Sequence, residues 1–115
     1  MKHRQMVKEL VKNPSVIHEN MSDSDVALIH MAMGIAGEAG ELLDAIKKCT
    51  MYHQPLDVKH VIEELGDIEF YMEGLRQELD LDRSHVLSEN VMKLSKRYSD
   101  FKYTDAKAKA RADKA

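Results

Sequence analysis

Tryptophan is absent from these 115 residues, cysteine occurs once, proline twice and glycine five times, and aromatic residues make up only 5%. A single cysteine, Cys49, closes no intrachain disulfide, which excludes a small disulfide scaffold. So few glycines and prolines exclude collagen-like and low-complexity chains. A surplus of positive charge is missing as well. Lys plus Arg number 17 against 20 Asp plus Glu, a formal charge of -3, so no global basic field points to DNA, RNA or an anionic membrane. No apolar run is expected to approach the ~20 residues of a membrane span, and the start Met1-Lys2-His3-Arg4-Gln5-Met6 lacks the apolar stretch of a secretory signal. The chain reads as a protein of a reducing cytoplasm, with neither nucleic acid nor membrane among its partners. What is present is 43% hydrophobic and 32% charged residues, enough for one core or a share of one in a single domain.

The patterning is helical throughout, with no strand-like alternation of useful length. Asn13-Pro14 breaks a short amphipathic start that carries Met6, Leu10 and Val11. A first long helix is expected from the cap cluster Ser22-Asp23-Ser24-Asp25 to about Lys48, with Lys47 and Lys48 suiting the C-terminal dipole. Thr50 to Pro55 reads as a connection. A second long helix follows Asp57, with Val61, Leu65, Ile68, Met72, Leu75 and Leu79 forming its packing seam. Asp82 opens a third to about Tyr98, with Val86, Leu87, Val91 and Leu94 on its apolar side. The expected fold class is all-α: three main helices plus a short N-terminal helix, either a small bundle or half of a four-helix bundle completed by a second chain. Residues 1–101 form the domain, and 102–115, rich in Lys, Ala and Asp, read as a frayed, charged tail.

Two stretches echo each other. Glu38-Ala39-Gly40-Glu41-Leu42 and Glu64-Leu65-Gly66-Asp67-Ile68 each place acids at i and i+3. At ~100° per residue both pairs flank the apolar row of their helix. Acids beside a core are costly unless paired or bound to a cation, and an oxygen-only donor set without Cys or His suits a hard ion, Mg²⁺ or Mn²⁺, better than zinc. All five glycines, Gly34, Gly37, Gly40, Gly66 and Gly74, fall inside these helices, where each costs roughly 1 kcal/mol relative to Ala. Close approach of a ligand and close helix packing explain them equally well. On the third helix Asn90, Lys93 and Arg97 make a polar stripe. Beside a carboxylate-metal site, that stripe reads as half of a polyphosphate site.

Other groupings carry less. Asp57-x-x-His60 and Asp82-x-x-His85 have metal-like spacing, but both Asp residues stand where N-caps belong. The Glu-x-x-His pairs of di-iron bundles are absent from the acid motifs, and no glycine-rich phosphate loop is present. The eight Met residues suit core gaps.

The blocks Gly37-Glu38-Ala39-Gly40-Glu41-Leu42, Glu63-Glu64-Leu65-Gly66-Asp67 and Asn90-Val91-Met92-Lys93-Leu94-Ser95-Lys96-Arg97-Tyr98, in this order, resemble the MazG-like, all-α nucleoside triphosphate pyrophosphohydrolases. The resemblance spans about residues 25 to 101. It implies a homodimer or homotetramer with four-helix-bundle active sites. It also implies Mg²⁺ ligands at Glu38, Glu41, Glu64 and Asp67, and triphosphate contacts from Lys93, Arg97 and Asn90. The implied reaction splits a nucleoside or deoxynucleoside triphosphate between the α and β phosphates, releasing monophosphate and pyrophosphate, often to control the nucleotide pool. Sister reactions on the same fold act on dUTP or phosphoribosyl-ATP, and a non-catalytic nucleotide-binding or interaction module is the alternative from another class. One departure stands out: Gly37 occupies the place where the family's first block often carries a further acid.

Overall fold

The computed structural model describes residues 1–114; Ala115, the last residue of the expected tail, lies outside the described residues. Among them the chain is all-helical: α1 (His3–Leu10), α2 (Pro14–Glu19), α3 (Asp23–Thr50), α4 (Val58–Glu78), α5 (Arg83–Arg97), α6 (Asp105–Ala110) and a closing 3₁₀ turn, Ala112–Lys114. The caps follow the sequence closely. Ser22 and Asp25 form a reciprocal capping box at the start of α3, and Asp57 accepts from the backbone N–H of His60 at the start of α4. Where one N-terminal helix is expected, there are two. Asn13-Pro14 ends the first and also starts the second, because Asn13 caps Ser15 and proline suits the first helical position.

Helices α3 and α4 pack extensively on each other, while α5 packs chiefly with α6 and the closing turn. The α3–α4 pair is antiparallel: Met31 meets Gly74, Gly34 meets Tyr71, and Glu38 meets Glu64 and Asp67. Two glycines have a packing reason here. A β-carbon on Gly34 would run into the Tyr71 ring, and one on Gly74 into the Met31 sulfur. The other three, Gly37, Gly40 and Gly66, face open space. The α4 seam is rotated from the expected one, since Glu64 is buried between the helices while Leu65 and Leu79 are about half exposed. Val61, Ile68, Met72 and Leu75 of the expected seam stay half-buried, and the packing against α3, which periodicity along one helix does not report, adds Glu64 to them.

Among the described residues no apolar side chain is fully buried. Val26, Ile29 and Met33 line the face of α3 turned away from α4, together with Gly37 and Gly40, and Ile62 and Phe70 stand exposed on α4. The radius of gyration is 19.9 Å, against about 13 Å for a compact chain of this length. The described helices pack pairwise without closing a core. Helix α3 is the one described helix long and apolar enough to cross a membrane, but its apolar stretch carries Glu38 and Glu41, with Glu38 turned toward α4 as in a helix that packs on protein.

Candidate metal and phosphate site

Three of the four acids come together. One carboxylate oxygen from each of Glu38 on α3 and Glu64 and Asp67 on α4 lies within 4.8 Å of the others. They form a gradient of burial: Asp67 is exposed, Glu38 half-buried and Glu64 only 7% exposed. Glu64 Oε2 is buried without a hydrogen-bond partner. Such an atom is expensive to leave unsatisfied. The Glu38 carboxyl is held above its ordinary range, first by the hydrogen bond it shares with Glu64, then by partial burial and the negative charge of Glu64 and Asp67. Glu41, exposed on α3, stands outside the trio because three residues further along the helix turns it ~60° away from Glu38.

His60 stands beside this cluster through Glu64, a partner other than the Asp57 of its metal-like spacing, which serves as the cap. Its Nε2 lies 3.6 Å from Glu64 Oε1 and its Nδ1 4.0 Å from Glu63 Oε2. The i, i+4 spacing of His60 and Glu64 carries that signal. A hollow of about 460 Å³ opens next to it, lined by Lys48, Gln54, Asp57 and His60 among others, at the junction of α3, the connection and α4.

The basic stripe lies elsewhere, on α5. Asn90 and Lys93 open into a hollow of about 480 Å³ along α5. Arg97, half-buried, donates from Nε to Asp113 Oδ1 at 2.8 Å and from Nη2 to Asp113 Oδ2 at 3.3 Å. Among the described residues no hydrogen bond or ion pair links Lys93 or Arg97 to the acids. The charges that act on Glu38 are those of Glu64 and Asp67, and the charge that acts most on Arg97 is that of Asp113.

A model of the MazG nucleotide pyrophosphohydrolase domain matches residues 28–101. The chain belongs to the MazG nucleotide pyrophosphohydrolase family. The matched span contains both acid blocks and the α5 stripe and stops before α6. The Gene 37 protein of Mycobacterium phage L5 is 28% identical over 97 residues, 79% of this chain and 85% of that protein. No solved structure matches. The MazG assignment agrees with the all-helical architecture and with an acid trio placed between the two longest helices.

Proposed function

We propose that this MazG-family chain hydrolyses nucleoside or deoxynucleoside triphosphates to the monophosphate and pyrophosphate, with Mg²⁺, or Mn²⁺ in its place, held by Glu38, Glu64 and Asp67. The observation that carries the reading is the orphaned, buried oxygen of Glu64 inside a trio of carboxylates. Three acids at this distance repel one another, and a divalent ion is the charge that fits an all-oxygen donor set. When bound, such an ion shields phosphate charge and acidifies a coordinated water.

The chain's own residues divide the remaining work. Asp67, exposed at the rim, faces incoming substrate, while Glu64 anchors the trio from the seam. Glu41, exposed and outside the trio, is available to orient the attacking water or accept its proton. Asn90, Lys93 and Arg97 take the phosphate oxygens. These residues are unlinked to the acids within one protomer, and the apolar faces of α3 and α4 are open, so the working unit is a homodimer or a dimer of dimers. In that assembly a second α3–α4 pair completes a four-helix bundle and α5 of one copy serves the acids of another.

A product-resolved assay with a panel of ribo- and deoxynucleoside triphosphates, Mg²⁺ and Asp67→Asn as control tests the reaction. Monophosphate plus pyrophosphate, lost in the variant, is expected. Tight nucleotide binding with no turnover across the panel would instead favour a binding module.

A further inference from the structure

The segment after Phe101 folds back onto α5. Thr104 Oγ1 accepts from the backbone N–H of Lys107 to start α6, and Lys107 Nζ reaches Asp100 at 2.6 Å. At the end of α6, Arg111 adopts a left-handed conformation, φ 48° and ψ 52°, a strained turn for a residue with a side chain. That turn brings the 3₁₀ segment against α5 and drives Asp113 onto Arg97. The Asp113 side chain is only 4% exposed and that of Arg97 16%. Both oxygens of Asp113 engage the guanidinium fork, the geometry in which arginine also grips a phosphate. The same carboxylate walls the hollow into which Asn90, Lys93 and Lys96 open, with Lys114 beside it.

We infer that residues 102–114 are an autoinhibitory strap, in which the Asp113 carboxylate occupies the phosphate-binding edge of Arg97 until a polyphosphate displaces it. The inference rests on the proposed assignment of Asn90, Lys93 and Arg97 to the triphosphate. Two anions cannot share one guanidinium edge, so binding and release of the strap are one competition. Phosphate oxygens reach the Nε–Nη2 edge of Arg97 only as Asp113 leaves, and the hollow widens as the 3₁₀ turn lifts. A strap that ended in a neutral residue would rest on α5 without competing.

Inorganic tripolyphosphate, titrated without divalent metal into the full chain, into Asp113→Asn and into Lys93→Ala, provides the test. Asp113→Asn should bind roughly tenfold tighter, the scale of one charge-assisted contact, and Lys93→Ala should bind more weakly. In the unsubstituted chain, NMR should show the Arg97 Nε–H and the amides of 112–114 shifting with the same midpoint as those of Asn90 and Lys93. If Lys93→Ala weakens binding but Asp113→Asn does not tighten it, or the amides of 112–114 stay fixed while α5 responds, the strap is overturned and the phosphate assignment stands. If Lys93→Ala leaves binding unchanged, the phosphate assignment falls and takes the strap with it.

Discussion

The two charged regions of this molecule solve the same problem in opposite ways. Between α3 and α4, Glu64 is buried with an oxygen that has no partner, and its neighbours are two more acids and, at 3.6 Å, the imidazole of His60. On α5, Arg97 and Asp113 are buried with each other through two hydrogen bonds. The first region leaves a carboxylate oxygen unpaired, and the second pairs both of its charges within the chain. Burying an unpaired charge is costly whereas a paired and hydrogen-bonded one is tolerated, so the acid trio is where the proposed ion would relieve repulsion, and the basic face already holds a counter-charge in Asp113.

The sharpest way to break that contrast is to complete the acid trio by mutation. Glu64→Gln removes the buried charge and leaves an amide that can donate to Glu38. In chelator it should raise the melting temperature, while with Mg²⁺ its turnover should fall about 100-fold or more, the scale on which losing one electrostatic stabiliser acts. Mg²⁺ should raise the melting temperature of the unsubstituted chain and fail to do so for the variant. A variant that is destabilised in chelator would show that Glu64 already has a partner. Next in size is the apolar face. Met33→Glu and Ile62→Glu set a charge on surfaces that are 65% and 63% exposed in the protomer. On a lone protomer such changes are nearly neutral, but across an interface they bury an unpaired charge. Sedimentation should show dissociation, with the melting temperature lower by roughly 5 °C or more and newly dependent on protein concentration.

Much of this architecture is legible in the sequence. The capping box at Ser22, the cap at Asp57, the extents of α3 and α4 and the i, i+3 spacing within each acid block are local or periodic, and sequence carries local and periodic information well. The rotation that buries Glu64 in place of Leu65, the exclusion of Glu41 from the trio and the engagement of Arg97 by a residue 16 positions away are long-range outcomes. No spacing rule ties Arg97 to Asp113, since their meeting depends on the left-handed turn at Arg111 and on a segment whose composition resembles a solvated tail. His60 is different: its i, i+4 relation to Glu64 was there to be read, but the cap explanation for Asp57 absorbed it.

Acidity offers a gentler probe of the acid trio. The Glu38 carboxyl titrates above its ordinary range when folded, chiefly because of its shared hydrogen bond with Glu64. The folded state therefore holds that proton more tightly than the unfolded state does. Its contribution to stability is present at pH below the ordinary carboxyl range and is lost as pH rises through the raised value. In chelator, melting curves of the unsubstituted chain minus those of Glu38→Gln should show this decline. Mg²⁺ should oppose it, because the ion favours the ionised carboxylates.

The smallest effects come from the glycines, and their signs are the informative part. Replacing helical Gly by Ala gains up to about 1 kcal/mol from backbone entropy where there is room. At Gly34 there is none, because the new methyl meets the Tyr71 ring, and overpacking of this kind costs about 1–3 kcal/mol, so Gly34→Ala should lower stability. Gly37, Gly40 and Gly66 face open space in the protomer, and a lone protomer should gain from Ala at each. They lie on or beside the exposed apolar faces that the proposed second copy would cover. In the oligomer the same methyl would then meet a neighbouring helix and the gain should turn into a loss. Denaturant titrations of the three variants on dilution from oligomer to protomer separate these cases: a change of sign with concentration places the partner over the glycines, and a constant gain leaves them as open as they stand in the single chain.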